Sequence, residues 1–245
     1  MKLSVIIPAH NEAQNIEGTV LSFSNELENN KIEYEILVVN DNSTDNTEEV
    51  LKRLKLKVKD LNYINSISPN GYGFAVSEGL GKFNGDCVSI VMADMSDNPA
   101  DLVRYYREMQ EGYDCVFGSR FIEGSRLIEY PIYKLILNRL GNILIMFLFV
   151  IRYNDVTNAF KLYKKEVIDG VKPLLSRYFD MTVEIPLKAI IRGYNYCVIP
   201  NSWRNRKKGI SKFKIKELGG RYLFVILYCL LEKWLSRGSY KKNKK

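Results

Sequence analysis

Cys87-Val-Ser-Ile-Val-Met-Ala-Asp-Met-Ser-Asp97 is the stretch whose reading decides the fold. Its apolar front half, Cys87–Met92, reads as a short buried strand, and its back half is a polar turn that ends it. The same design occurs twice upstream. Leu3–Pro8 runs into Pro8-Ala9-His10-Asn11-Glu12, and Glu35–Val39 runs into Asn40-Asp41-Asn42-Ser43-Thr44-Asp45. Leu61–Asn65 and Cys115–Gly118 are further strand candidates. Between the strands lie helical periods: Glu12–Glu28, with Ile16, Val20, Phe23 and Leu27 on one face, then Thr47–Leu56, Phe74–Phe83 and Pro99–Glu111, the last with Pro99 in its first turn. This alternation predicts an α/β fold, a mostly parallel central sheet flanked by helices. Ligands of such sheets bind beyond the carboxyl ends of the strands. Three polar clusters stand at just those matched positions, so chemistry is expected there.

Composition narrows the classes. The 245 residues suit one large domain or one and a half, and 46% hydrophobic with 26% charged residues excludes a disordered or low-complexity chain. Four scattered cysteines and a single histidine, His10, argue against a His/Cys zinc site and against a disulfide scaffold. A reducing, cytosolic environment is the default. The first apolar run breaks at Pro8, too early for a signal peptide. The formal charge is +8, yet residues 201–245 carry +12 and the first 200 carry −4. Such a tail faces something anionic: nucleic acid, phosphate or a membrane surface. For Lys241–Lys245 alone a solvated tail is the simpler reading.

The second half changes character. Tyr130–Asn154 is rich in Leu, Ile and Phe, but Lys134, Asn138 and Arg139 interrupt it, so it falls short of a clean membrane span. A core helix under the sheet fits it equally well. Asp180–Arg192 reads as a helix, Tyr194–Pro200 as a strand, and Lys214–Ser236 as a final amphipathic helix. Basic residues flank that last helix at Lys212, Lys214, Lys216, Arg221, Lys233 and Arg237, which suits a helix lying in a membrane interface. The expected division is a domain over 1–212 and a basic amphipathic helix with its tail over 213–245.

A carboxylate at a strand end, as at Asp41 and Asp94, can meet a ribose, a base or a metal ion, or can cap a turn. Capping is the expectation for Asp45, and Asp97 fits either role. Asn70-Gly71-Tyr72-Gly73 matches neither a P-loop nor a dinucleotide fingerprint, which argues against kinases, ATPases and dehydrogenases. Glu184 is either a site acid or a buried partner for an arginine.

The strings SVIIPAHNE, VVNDNSTDNT and GYGFAVSEGLGKFNGDCVSIVMADMSDNP, followed by GSRF at Gly118–Phe121, DVTNAFKLYKKEV at Asp155–Val167 and RKKGISK at Arg206–Lys212, resemble the family 2 glycosyltransferases of the GT-A fold. Within that family they are most similar to the branch that includes dolichol-phosphate mannose synthase. The likeness runs in order over residues 3–212. It implies inverting transfer of a sugar, mannose or glucose, from a GDP- or UDP-sugar to a polyprenyl or dolichyl phosphate. It also implies a peripheral or monotopic protein on the cytoplasmic side of a membrane, with a separate membrane subunit left open. Pro8, His10 and Glu12 match the family's nucleotide-binding loop, Val39 and Asp41 the strand end that holds base and ribose, and Ala93 and Asp94 the end of its Asp-Ala-Asp motif. Arg120 matches an arginine near the transferred sugar and acceptor phosphate. Lys134 and Asn138 fall where further acceptor contacts lie, and Arg206 and Lys212 match a basic loop over the diphosphate. A divalent metal, Mg²⁺ or Mn²⁺, is implied on Asp94 with Ser96.

There are departures. Met92 replaces the first motif aspartate, and its thioether does not serve a hard cation. Asn40 replaces an acid, and Asn158-Ala159-Phe160-Lys161 stands for Ser-Gly-Phe-Arg. A phosphate acceptor is already anionic, so positioning and fixed charge suffice for the chemistry. A glycan hydroxyl as acceptor would instead need a base, with Asp97 or Glu184 as candidates. A nucleic-acid binder built on Trp203-Arg204-Asn205-Arg206 would leave the three strand-end clusters unexplained, so no nucleic acid is expected.

Overall fold

The computed structural model describes residues 1–206, 215–236 and 238–242. Its frame is a seven-stranded sheet. In chain order the elements begin β1 (Leu3–Ala9), α1 (Ile16–Asn29), β2 (Tyr34–Asn40), α2 (Thr47–Lys57), β3 (Leu61–Asn65), α3 (Tyr72–Leu80), β4 (Cys87–Ile90), α4 (Pro99–Gln110) and β5 (Cys115–Ser119). They continue β6 (Arg126–Ile128), α5 (Ile132–Phe149), β7 (Lys161–Lys164), α6 (Lys165–Gly170), α7 (Met181–Ile191), β8 (Tyr196–Pro200), β9 (Ser202–Arg204) and α8 (Ile215–Leu235). The sheet order is β3-β2-β1-β4-β7-β5-β8, parallel throughout except for β7, which runs against both β4 and β5. A parallel ribbon of β6 and β9 stands apart.

Period-two alternation sorts the core. Leu3, Val5, Ile7 and Ala9 of β1 point into one cluster with Ile16, Val20, Phe23 and Leu27 of α1, while Ile6 points into the opposite cluster with α3 and α7. The face expected of α1 is the buried one. β7 escaped the sequence reading because the strand begins with a buried lysine. Lys161 sits in the core, where its ammonium donates to the carbonyls of Val156, Thr182 and Asn158. Burial pushes that ammonium down to about 7.

Each strand end that carries a polar cluster turns through a left-handed residue: Asn11 after β1, Asn42 after β2 and Met95 after β4. Asparagine tolerates that conformation, whereas methionine lacks a short polar side chain to support it. The Met95 side chain lies over Gly18 of α1, where an added Cβ would come within 2.7 Å of its sulfur.

Two helices bear on the membrane expectation. α5 is no core helix. Lys134, Asn138, Arg139 and Asn142 lie on its half-buried or buried side, whereas Ile132, Ile136, Leu140, Ile143, Leu144 and Phe147 are exposed. The residues that interrupt the apolar run therefore share the inward stripe. Over Ile132–Asn142 the usual arrangement of a soluble helix, apolar inside and polar outside, is reversed. At 18 residues α5 is also long and apolar enough to cross a membrane, although Ile145 and Phe149 anchor it to the body. α8 packs on α7 through Val225, Ile226, Cys229 and Leu230, and leaves Leu223, Phe224, Leu227, Leu231 and Trp234 exposed. Two of its flanking cations, Arg221 and Lys233, pack against the protein. Arg221 stacks on the Tyr178 ring at 3.5 Å, and Lys233 Nζ donates to the Phe149 carbonyl at 2.7 Å. Lys212, Lys214 and Arg237 lie outside the described residues.

Candidate active site

The loops after β1 and β2 are zipped together. The Asn11 amide oxygen accepts the Thr44 N–H at 2.7 Å, Ser43 Oγ accepts the Asn11 N–H at 2.9 Å, and Thr47 Oγ1 accepts the Glu12 N–H at 3.0 Å. Asp45 takes the capping role expected of it: its carboxylate accepts the N–H of Thr47 at the start of α2 and that of Ala13 across the gap. These bonds hold its pKa below the usual carboxylate range against the opposing effect of burial. His10 Nδ1 lies 2.5 Å from the Asp41 carbonyl oxygen, and the Asp41 carboxylate accepts the Gly71 N–H at 3.0 Å, which brings the start of α3 to the same rim.

The third loop joins through its carboxylates. Asp94 Oδ1 accepts the Ser96 N–H at 3.1 Å, and Oδ2 meets Arg206 Nη2 at 2.7 Å. Arg206 Nη1 lies 3.5 Å from Glu12 Oε1, while the other Glu12 oxygen accepts from the Asn15 amide. One guanidinium, 194 residues on from Glu12 and 112 from Asp94, thus bridges the first and third strand-end loops. Asp97 does not cap a helix; that role falls to Asn98, whose side chain accepts the Ala100 N–H. Asp97 is buried and accepts the Met92 N–H at 3.0 Å. Burial pushes its pKa up to about 7; the Met92 N–H opposes this and the Asp94 charge adds to it.

Arg120 follows β5, buried against Asp155, with the Tyr130 ring 5.7 Å away. Burial works against its charge, and the Asp155 carboxylate more than offsets this, so its pKa is raised. Tyr130 meets Trp203 edge-on at 4.8 Å, and its hydroxyl accepts from the Asn138 amide at 3.4 Å. Lys134 lies close enough to Arg206 that desolvation and that like charge both lower its pKa. Asp94, Arg206 and Lys134 on one side and Asp97, Arg120, Tyr130 and Asn138 on the other therefore form one connected rim at the carboxyl edge of the sheet.

Other expected residues sit deeper in the fold. Val39 is wholly buried in the core, packed near Gly79 of α3, and Ala93 packs in the opposite cluster. The Ala93 carbonyl accepts the Thr19 hydroxyl at 2.8 Å. Pro8 is the penultimate residue of β1, half-buried. Ser96 is buried, and its described part in the site is the N–H that braces Asp94. Lys212 lies outside the described residues.

Glu184 is not a site acid, and its partner is a lysine rather than an arginine. It is fully buried, bound to Lys188 Nζ at 2.6 Å and to the N–H groups of Leu175 and Ser176. Those bonds hold its pKa low despite burial. Removing one member of a buried pair leaves the other charge uncompensated. Glu184→Ala should therefore lower stability by about 3–5 kcal/mol in chemical denaturation while the folded fraction keeps wild-type substrate KM values.

A hard cation needs oxygen ligands. Among the described residues no three His, Cys, Asp or Glu side chains converge on a point. The Asp94 carboxylate, with Oδ2 held among the described residues by a partly exposed arginine, fits such an ion if phosphate oxygens and water complete its shell.

The profile of glycosyl transferase family 2 matches residues 4–171. A dolichol-phosphate mannosyltransferase of Pyrococcus furiosus is 30% identical over 222 residues, which cover 89% of this chain and 61% of that protein. The chain thus spans less than two thirds of that relative's length. A polyprenol monophosphomannose synthase of Mycolicibacterium smegmatis is 28% identical over 233 residues, 89% of this chain and 86% of that protein. Among solved structures, glucosyl-3-phosphoglycerate synthase from Mycobacterium tuberculosis in complex with Mn²⁺, UDP and glucosyl-3-phosphoglycerate superposes with a TM-score of 0.70 at 17% identity, covering 95% of this chain and 79% of that one. That likeness is one of fold.

Proposed function

The chain belongs to glycosyl transferase family 2, and from that premise we propose that it moves a hexose from a GDP- or UDP-sugar to a polyprenyl phosphate at the cytoplasmic face of a membrane. The observation that carries the lipid acceptor is the reversed amphipathicity of α5. Lys134 and Asn138 face the site, while the opposite side offers an uninterrupted apolar stripe beside that of α8. A phosphate held by the inward face would have its hydrocarbon tail running along the outward one. The protein lies on the membrane rather than through it, since Arg139, Asn142, Ile145 and Phe149 tie α5 to the body.

The mechanism follows from charge. The donor diphosphate sits at the rim between the Glu12 and Asp94 loops, and the acceptor phosphate sits by Arg120 and Lys134. An acceptor oxygen forms the new bond to the anomeric carbon as the bond to the diphosphate breaks on the opposite side, so the configuration inverts. No base is needed, because the acceptor is ionised at neutral pH. Arg206 exchanges its carboxylates for the departing diphosphate and carries its charge to where negative charge develops. A divalent cation, Mg²⁺ or Mn²⁺, would be held by Asp94 and would neutralise charge on the diphosphate. A glycan hydroxyl as acceptor would require Asp97 as base, and its buried carboxyl is already engaged by the Met92 N–H.

A thermal-shift panel of nucleotide-sugars with and without Mn²⁺ tests the donor assignment. At a hundred times its Kd, the true donor should stabilise the fold by about 2.7 kcal/mol. Absence of any shift across GDP- and UDP-hexoses with Mn²⁺ would contradict the proposal.

A further inference from the structure

Arg120 is held in an unusual way. The Asp155 carboxylate, 0% exposed, takes three hydrogen bonds from this single residue. Oδ2 accepts the Arg120 backbone N–H at 2.9 Å and Nε at 2.8 Å, and Oδ1 accepts Nη2 at 2.8 Å. Nη1 makes no hydrogen bond among the described residues, and Arg120 keeps 8% of its surface exposed. The loop that carries Asp155 is fixed in turn to the end of β5. Tyr153 Oη donates to the Gly118 carbonyl at 3.0 Å, Ser119 Oγ to Asn154 Oδ1 at 2.6 Å, Asn154 Nδ2 to the Phe121 carbonyl at 3.2 Å and Asn158 Nδ2 to the Gly118 carbonyl at 2.9 Å. α5 is tied to the same loop, through Arg139 to the Asn154 carbonyl and Asn142 to Thr157 Oγ1.

A buried ion pair is weak evidence for stability, since apolar residues of similar volume often do as well. What this one supplies is direction. A guanidinium gripped at Nε and Nη2 by a carboxylate has its plane and its third nitrogen fixed. We propose that Asp155 is a positioning residue for sugar transfer: it aims Nη1 of Arg120 at the acceptor phosphate, and its loop makes that aim depend on the seating of α5. This rests on the polyprenyl-phosphate reading above. Asp155 itself touches no substrate; it acts through Arg120.

The experiment is steady-state transfer by Asp155→Asn and, as a second variant that keeps the cation but not the fork, Arg120→Lys. The donor-induced thermal shift serves as the measure of an intact donor cradle. Each variant that retains the shift should show an acceptor KM raised about tenfold or more with donor KM within about twofold of wild type, because a displaced cation loses the phosphate and not the nucleotide. A purely structural role would move stability and leave this split absent. If both variants keep the donor shift and the wild-type acceptor KM, the positioning role is overturned. If Asp155→Asn loses the donor shift, Arg120→Lys alone decides by the same split. If the wild type forms no lipid-linked product, the acceptor reading fails first and takes this inference with it, an outcome that no variant data can imitate.

Discussion

Asp94→Ala should lower sugar transfer by about a thousandfold or more, the scale expected when a preorganised charge contact at the reacting group is lost. Asp94 is the one carboxylate that meets Arg206 at 2.7 Å while being braced by the Ser96 N–H from behind. Its removal takes away the oxygen best placed for a cation and one of the carboxylates that hold Arg206, leaving Glu12 3.5 Å away. Asp94→Asn separates charge from shape. The amide oxygen can still accept the Ser96 N–H, so the loop keeps its form, yet the negative charge is gone. Both variants should lose activity together, whereas a purely structural role would spare Asp94→Asn. Transfer of a radiolabelled sugar measures the effect, and activity within tenfold of wild type in either variant would refute the assignment.

The second large effect concerns the membrane. Leu140, Leu144 and Phe147 are 60%, 49% and 80% exposed on the outward face of α5. Changing all three to Asp should leave the fold intact, because none supports the core. Charged residues at the centre of a membrane helix cost about 2.5–3.5 kcal/mol each. Even a fraction of that cost at interfacial depth, summed over three positions, should reduce vesicle binding by about a hundredfold or more. Co-sedimentation with liposomes reads this directly. The triple variant should still act on a short, water-soluble polyprenyl phosphate. Wild-type co-sedimentation of the variant would rule out α5 as the docking face.

Much of the frame was legible because β-branched runs that end in polar turns leave a local trace. β1, β2, β4 and the apolar face of α1 follow from period alone, and so does the convergence of their carboxyl ends. Three features were not legible, each for a tertiary reason. β7 inserts antiparallel between β4 and β5 and opens with Lys161, so its pattern breaks the rule that buried strands read as apolar. α5 reads as a faulty span or a core helix until burial shows that its polar residues point inward. Arg120 was singled out by its motif, yet the partner that orients it lies 35 residues on, and nothing local in Asp155 marks it as more than the head of a turn. Val39 and Ala93 occupy motif positions with both side chains buried, Val39 by strand alternation and Ala93 in the turn after β4.

The most direct test of the central claim, a lipid phosphate meeting a nucleotide-sugar at one sheet edge, is phase partition of the labelled product. Purified protein is given the stabilising nucleotide-sugar with polyprenyl phosphate, and in parallel with the matching polyprenol. Label should pass into the organic phase with the phosphate and stay aqueous with the alcohol. Equal extraction with both, or label found only in water-soluble glycan when a hydroxyl acceptor is supplied, would contradict it.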